Sequence, residues 1–171
     1  HMKRLLGLLL VMGVVGCGKT VNKTKTVERG GLTYEINSET PFTGVAVKKY
    51  GSGQNEEEAT FKDGKLDGKY ALWYANGEKY AEGTYNDGKL VGLATSWYRN
   101  GQKRSEGTYK NGKLEGWGTS WHKNGRKRGE GTYEDGKMLS ETKWDEESDA
   151  HCVTWQRAIV QHPLNAEGFR K

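Results

Sequence analysis

Apolar and polar residues alternate one by one along most of the chain, which is the two-residue period of a β-strand. In the stretch 92–98, Leu93 and Trp97 fall on one side of such a strand, and Ala94 and Tyr98 fall on the other. Asn-Gly or Asp-Gly pairs separate successive stretches, and they favour tight hairpins because type I′ turns require positive φ at both central residues. Seven pairs alternate at spacings of 13 and 11 residues: Asp63-Gly64, Asn76-Gly77, Asp87-Gly88, Asn100-Gly101, Asn111-Gly112, Asn124-Gly125 and Asp135-Gly136. The pattern predicts a meander of β-hairpins.

The hairpins form a repeat of 24 residues. Several columns keep this period: Trp73, Trp97 and Trp121; Gly64, Gly88, Gly112 and Gly136; Glu58, Glu82, Glu106 and Glu130; and Phe61, Tyr85, Tyr109 and Tyr133. A degenerate first repeat begins near Gly31, because Phe42 and Tyr50 match Leu66 and Tyr74. We therefore predict an all-β fold, an open, twisted, single-layer antiparallel meander of 24-residue hairpins over residues 31–145.

Three glycines of the repeat fall inside predicted strands rather than in turns, namely Gly83, Gly107 and Gly131. A glycine inside a strand marks a site where another group approaches closely. We predict that each is a seat for an aromatic ring from a neighbouring strand, where a Cβ atom would collide. The Trp and Tyr columns are then expected to stack as ladders from repeat to repeat.

The amino-acid composition argues against several classes of protein. Hydrophobic residues make up 33% of the chain and the mean hydropathy is −0.91, which argues against a large conventional core and an ordinary α/β enzyme. Aromatic residues at 11% and only two prolines argue against disorder. The formal net charge is +5, and removal of a signal peptide that carries Lys3 and Arg4 would leave +3. This mild charge does not call for nucleic acid as a partner.

The repeat unit resembles a known family. The stretch 106–116 reads Glu-Gly-Thr-Tyr-Lys-Asn-Gly-Lys-Leu-Glu-Gly and is followed by a Trp and by Asn-Gly at 124–125. It resembles the MORN repeat, and more closely the bacterial MORN-repeat variant of antitoxin-like proteins, over about 31–145. The resemblance implies a sheet of successive hairpins, a role in interaction or assembly, and no catalytic residues. Lys49 in a Trp slot and Ser140 in a Gly slot are interpreted as features of capping units.

Residues 1–16 have the features of an export signal, with His1 interpreted as a cloning residue. A basic start is followed by an apolar stretch that ends in Val14-Val15-Gly16-Cys17. This resembles the lipobox of bacterial lipoproteins and implies that Cys17 carries lipid and anchors the protein to a membrane of the cell envelope. Gly18 follows Cys17, which favours the outer membrane in an organism that has one. A plain secretory signal is the alternative, and residues 17–30 are expected to form a polar tether.

Residues 146–171 lie outside the repeat. Apolar residues recur at helical spacing, namely Cys152, Trp155, Ile159 and Val160. Ser148 can cap a helix and Pro163 would stop it, so we predict a short helical cap within Ser148–Gln161. Such a helix would cover the last edge of the sheet, and the alternative is a helix that binds a partner.

Candidate chemistry is sparse. His122 occupies the slot of Tyr74 and Tyr98, and is interpreted as a substitution within the repeat. The tail residues His151, Cys152 and His162 match no zinc-binding spacing. The carboxylates in the turns are isolated, and no phosphate-binding or hydrolase motif occurs. We expect no catalytic residues, no metal and no cofactor, and hence no enzyme.

The remaining candidates are surface residues. The Trp and Tyr columns are expected on opposite faces of a single layer, which leaves one column free as a binding surface or a dimer interface. A cluster of basic residues can dock an acidic partner or anionic head groups, or can form a solvated face that pairs with Glu106 and Glu130. The candidate partner-binding residues are Trp73, Trp97, Trp117, Trp121, Arg104, Arg126 and Arg128.

These residues predict a membrane-anchored protein-interaction module. The family resemblance implies a specific version, an immunity or antitoxin protein that neutralises a secreted toxin by direct binding. The alternatives are a repeat protein that binds envelope glycan or choline-type ligands, and a structural scaffold of the envelope. A homodimer through a sheet edge or the aromatic face is also compatible with the pattern.

Overall fold

The computed structural model describes residues 18–145 and the backbone of strand 153–156. The predicted signal peptide, Cys17 and most of the tail lie outside the described residues. The strands are β1 (Thr20–Asn22), β2 (Thr26–Arg29), β3 (Leu32–Glu35), β4 (Gly44–Lys49), β5 (Asn55–Lys62), β6 (Lys65–Trp73), β7 (Lys79–Asn86), β8 (Lys89–Trp97), β9 (Lys103–Lys110), β10 (Lys113–Trp121), β11 (Lys127–Glu134), β12 (Lys137–Lys143) and β13 (Val153–Gln156). A short 3-10 helix, Lys23–Lys25, joins β1 to β2.

Eleven of these strands form one sheet in the order β1-β4-β5-β6-β7-β8-β9-β10-β11-β12-β13. From β4 to β13 each strand pairs antiparallel with the next, and β1 adds in parallel beside β4. Strands β2 and β3 form a separate hairpin. The predicted all-β meander is confirmed as an open sheet of consecutive hairpins about 24 residues apart.

The Asn-Gly and Asp-Gly pairs form two kinds of turn, where the sequence predicted one. Asp63, Asp87, Asn111 and Asp135 have positive φ, as do the glycines that follow them, and this is the type I′ geometry. At Asn76, Asn100 and Asn124 only the following glycine has positive φ. There the loop has three residues, with Tyr74 N bonded to Glu78 O and Gly77 N bonded to Tyr74 O in the first example. The difference arises because three-residue loops place only their last residue in the left-handed region.

The N-terminal segment is part of the fold. The interpretation of residues 17–30 as a tether is wrong for Thr20–Arg29, which form β1, the 3-10 helix and β2. Val21 packs against the buried cluster of the protein, and Val45 N donates to Lys19 O at 2.7 Å. The segment folds back because the edge of β4 offers unpaired backbone groups and the first repeats offer apolar surface to cover.

The buried cluster is small and lies at this end. Its members are Phe42, Ala46, Ala59 and Phe61, with exposures of 4%, 0%, 0% and 7%. The rings of Phe42 and Phe61 lie 5.9 Å apart, and Leu66 and Tyr70 pack against them. The absence of a large core, expected from composition, therefore holds for the residues that the structure describes.

At the other end, Val153–Gln156 is a strand that pairs with β12. The prediction of a helical cap is wrong for these four residues, while the rest of Ser148–Gln161 lies outside the described part of the chain. The tail still pairs with the last edge, but it does so by strand addition. Pairing satisfies the backbone groups of β12 directly, which a helix laid over the edge cannot do.

The strand glycines are crowded, but not by the rings predicted for them. A Cβ atom on Gly83 would lie 2.8 Å from Leu90 Cδ1, and one on Gly107 would lie 2.5 Å from Leu114 Cδ1. At Gly131 it would meet the backbone oxygen of Ser140 at 2.3 Å. A strand glycine that does face a ring of the repeat is Gly118, where a Cβ would lie 3.2 Å from Tyr133 Cε2. At Gly83 and Gly107 the space is filled by Leu90 and Leu114. Each leucine lies on the paired strand, a few residues before the position opposite the glycine.

Candidate binding surfaces

Alternation along the strands divides the sheet into two faces. The tryptophan face carries Trp73, Trp97, Trp117 and Trp121, together with Leu93 and Lys69. The tyrosine face carries Tyr70, Tyr85, Tyr109 and Tyr133, together with Leu90 and Leu114. Pairing keeps the faces in register, since Ala94 lies opposite Gly107 and Thr95 lies opposite Glu106.

The tryptophan face holds a ladder of lysine, glutamate and tryptophan side chains. Lys103 Nζ lies 2.6 Å from Glu106 Oε2 and 5.6 Å from the centre of the Trp121 ring. Lys79 makes the same contacts with Glu82 and Trp97, at 2.5 and 5.7 Å. In each case the ring belongs to the next hairpin, so the lysine links two repeats. Each cation–π contact at such an accessible position contributes about 0.5–1 kcal/mol.

The ladder continues at Trp144, which the sequence analysis missed. Lys127 Nζ lies 2.7 Å from Glu130 Oε2 and 5.6 Å from the Trp144 ring. Trp144 escaped the 24-residue count because it follows Trp121 by 23 residues. A search for tryptophan that allowed one missing residue in the last hairpin would have found it.

A second ladder consists of hydrogen bonds from tyrosine hydroxyls to the backbone of the next repeat. Tyr50 donates to Trp73 O at 2.6 Å, Tyr74 to Trp97 O at 2.9 Å and Tyr98 to Trp121 O at 2.8 Å. His122 Nε2 lies 3.1 Å from Trp144 O. The interpretation of His122 as a substitution within the repeat therefore agrees with its geometry. Among the described residues no ring pair joins two members of either column, so the predicted stacking is wrong there, and hydrogen bonds and lysine contacts connect the repeats instead.

Trp117 differs from the other tryptophans. It is 65% exposed, and Leu93, in the equivalent slot of the preceding repeat, is 59% exposed. By contrast Trp73, Trp97 and Trp121 are half-buried. Equivalent strands of successive repeats lie about 10 Å apart, so Trp117 and Leu93 lie on this face with one strand between them. Both are exposed large apolar side chains of the tryptophan face.

The three candidate arginines take other positions. Arg104 lies against Tyr98 of the hydroxyl ladder, with its guanidinium carbon 6.0 Å from the centre of the ring. Arg126 is half-buried in the last three-residue turn, where its amide donates to Asn124 Oδ1 at 3.0 Å. Arg128 is exposed, and its carbonyl accepts from Trp144 N at 3.0 Å. Among the contacts within residues 18–145, the cations that lie over tryptophan rings are lysines, and these arginines lie in or beside the nearby row of turns.

The tyrosine face forms an open groove of about 310 Å³ over the middle and last repeats. Its lining includes Tyr85, Leu90, Tyr109, Leu114 and Tyr133. Burial raises the pKa of the Tyr133 hydroxyl, with a smaller contribution from the charge of Glu141. Where the groove meets the buried cluster, burial and the nearby Glu57 raise the pKa of Tyr70 to about 12.

Ion pairs also line the type I′ turns. Lys65 Nζ donates to Asp87 Oδ1 at 2.6 Å, and Lys113 Nζ donates to Asp135 Oδ1 at 2.7 Å. These hydrogen bonds lower the pKa of both carboxyl groups below the ordinary range. The pairs are well exposed, so each contributes little to the stability of the fold.

Neither a metal centre nor a membrane-spanning helix emerges from the described residues. Over 18–145 no three His, Cys, Asp or Glu side chains are grouped to hold a metal ion. Within the same limits, no helix has the length and apolar character needed to cross a bilayer. The chemistry on these two faces is that of contact surfaces, with aromatic, aliphatic and cationic groups.

Comparisons with known proteins show which family the repeats are similar to. No curated protein matches the chain significantly. One similar solved structure is the crystal structure of accessory secretory protein 1, 2 and 3 in Streptococcus pneumoniae, with 12% identity and a TM-score of 0.34 over 53% of this chain and 17% of that chain. A TM-score this low supports no argument. MORN repeats generally act as non-catalytic modules that interact with proteins or membranes. Residues 66–87 and 90–111, two consecutive repeats of the meander, match the MORN repeat variant.

Proposed function

We propose that this protein is a non-enzymatic module that binds another protein through its tryptophan face. The observation that carries the proposal is the exposure of Trp117 and Leu93, at 65% and 59%, at equivalent positions of successive repeats on one face. Large apolar side chains at the centre of an accessible face are typical of interaction sites. Tryptophan is also among the residues that contribute most to binding energy at interfaces.

Charge beside this patch favours an acidic partner. The stretch 123–128 contains Lys123, Arg126, Lys127 and Arg128 and no acidic residue. Arg99 and Arg104 line the equivalent turn of the preceding repeat. Complementary charge steers the encounter and raises the association rate more than it raises affinity.

We further propose that a lipid on Cys17 holds this module at a membrane of the cell envelope, in the outer membrane where the organism has one. The lipobox resemblance supports this assignment. The antitoxin-like resemblance supports a finer version in which the partner is a secreted toxin that the module neutralises. A membrane anchor would concentrate the module where such a toxin arrives.

Two variants test the binding surface. Trp117→Ala should weaken binding of a partner captured from the organism's own envelope by about 2 kcal/mol or more. Met138→Ala is the matched control, because Met138 is 44% exposed but lies in the column of the tyrosine face. Equal affinity of the wild type and Trp117→Ala would contradict the proposal. Retention on purified cell-wall glycan, without a stoichiometric protein partner, would favour the glycan-binding alternative.

The anchor is tested separately. Metabolic labelling with a fatty acid should tag the wild type and leave Cys17→Ser unlabelled. Equal labelling of the two proteins would rule out Cys17 as the lipidated residue. Binding measured on the unlabelled Cys17→Ser protein then reports on the surface without the lipid.

A further inference from the structure

Three equivalent turns carry the same labile dipeptide in different surroundings. Asn76-Gly77, Asn100-Gly101 and Asn124-Gly125 occupy the same place in successive three-residue loops, and all six residues are exposed. In each loop the asparagine Oδ1 accepts from the backbone amide two residues later, at 3.3, 3.2 and 3.0 Å. In each loop the glycine amide donates to the carbonyl that precedes the loop, at 2.9, 2.9 and 3.0 Å. These features are common to the three sites.

The asparagine amide nitrogen distinguishes them. Asn76 Nδ2 donates to Arg99 O at 3.1 Å, and Asn100 Nδ2 donates to Lys123 O at 2.8 Å. Both acceptors belong to the turn of the next repeat. Asn124 lies in the last such turn, and within the described residues its side chain makes only the bond from Arg126 N. The side chains of Asn76 and Asn100 are therefore hydrogen-bonded at both Oδ1 and Nδ2, whereas that of Asn124 is hydrogen-bonded at Oδ1 within the described residues.

The chemistry of Asn-Gly makes this difference consequential. The backbone nitrogen of the glycine attacks the asparagine Cγ, the Cγ–Nδ2 bond breaks, and the nitrogen leaves as ammonia with the proton that the glycine amide gives up. Water then opens the cyclic imide to aspartate or isoaspartate. The reaction needs only water, and glycine hinders the attack least because it has no side chain. The asparagine side chain must rotate to be attacked, and a hydrogen bond on Nδ2 opposes that rotation.

We propose that Asn124 is a site of spontaneous deamidation that alters the basic part of the binding surface. The product places a carboxylate between Lys123 and Arg126, in a stretch that otherwise carries only positive charge. This consequence rests on the proposed function, since it matters only if an acidic partner docks there. The modification itself does not depend on a partner.

The first test follows the chemistry without any partner. The full-length protein is aged in mildly alkaline buffer, and peptide mapping by mass spectrometry measures the deamidated fraction at each site. Asn124 should deamidate about five-fold faster than Asn76 and Asn100, the factor expected for the loss of one restraining hydrogen bond. Equal rates at the three sites would overturn the proposal. Asn111-Gly112 is excluded from the comparison, because it lies in a type I′ turn.

Two variants separate the modification from its effect. Asn124→Ser removes the reactive amide and uses the residue that the first repeat has at Ser52 in this slot. It should abolish isoaspartate formation at this turn, and isoaspartate that persists there would overturn the site assignment. Asn124→Asp should slow association with an acidic partner at low salt. Association at the wild-type rate would refute the effect on binding while leaving the modification site intact.

Discussion

The tyrosine face is covered at the N-terminal end of the sheet and open over the later repeats. At the N-terminal end the tyrosine face is covered by the segment from β1 to β3, and Phe61 is buried to 7% exposure. One repeat later and beyond, the same slot holds Tyr85, Tyr109 and Tyr133, which are half-buried and line an open groove. A repeat in a single layer therefore acquires a core only where another part of the chain lies over it.

The contrast also explains what holds each region together. The N-terminal end relies on burial of apolar side chains, with Lys23 paired to Glu57 at its rim. The later repeats rely on contacts from one hairpin to the next, through lysine–tryptophan contacts and tyrosine hydroxyls. Such nearest-neighbour contacts are the usual source of stability in repeat proteins.

The largest effect is expected when a buried ring is removed from the column that contains Phe61 and Tyr109. Phe61→Ala should reduce the free energy of unfolding by about 3 kcal/mol, because it removes a buried ring and leaves a cavity. Tyr109→Ala, in the same column of the open region, should cost about 1 kcal/mol, because that site can rehydrate. Urea denaturation measures both, and equal losses would show that the two regions are packed alike.

A smaller effect is expected at the strand glycines. Gly131→Ala should destabilise the protein by about 2 kcal/mol, because the added Cβ would meet the backbone oxygen of Ser140 at 2.3 Å. Gly107→Ala should cost less than about 1 kcal/mol, since the atom it meets is the rotatable Leu114 methyl. Thermal unfolding of the two variants gives the order, and the reverse order would contradict this account.

The hydroxyl ladder should contribute about one hydrogen bond per repeat. Tyr98→Phe removes the donor to Trp121 O and should cost about 1 kcal/mol. Tyr80→Phe is the control, because the contact of Tyr80 in the described residues is with the ring of Tyr74, at 5.1 Å. If both variants are as stable as the wild type, the tyrosine hydroxyls do not join the repeats.

The smallest effect concerns pH at the border between the two regions. Tyr70 packs against the buried cluster and lies 5.5 Å from the ring of Tyr85. Folding raises its pKa from 10.0 to about 12, so the native state binds the proton more tightly than the unfolded state. This contribution to stability is complete below pH 10 and is lost as pH rises from 10 to 12.

Comparison of wild type with Tyr70→Phe isolates that contribution. Between pH 10 and 12 the free energy of unfolding should fall more steeply for the wild type, because the variant has no hydroxyl to ionise. Urea denaturation at a series of pH values gives the slopes. Parallel slopes would mean that the Tyr70 hydroxyl is as well solvated in the native state as in the unfolded chain.

The meander, its period and the positions of its turns can all be predicted from the amino-acid sequence. The alternation of apolar and polar residues and the Asn-Gly and Asp-Gly pairs reflect interactions within one or two strands. The match of Phe42 to Leu66 is a pattern of the same local kind, so all three can be read directly from the sequence. Several features of the candidate surface were accessible in the same way, including the shared side of Trp117 and Trp121. The glycine columns also marked crowded sites, although they did not reveal what crowds them.

The remaining features emerged only in the folded protein, because they depend on pairs of segments that no local pattern relates. The segment Thr20–Arg29 joined the fold because the first repeats offered it an edge and an apolar face. Val153–Gln156 became a strand because β12 offered unpaired backbone groups, despite a helical spacing of apolar residues. Which cation lies over which tryptophan was set by register between hairpins, and one missing residue brought Trp144 into a column where the sequence period did not place it.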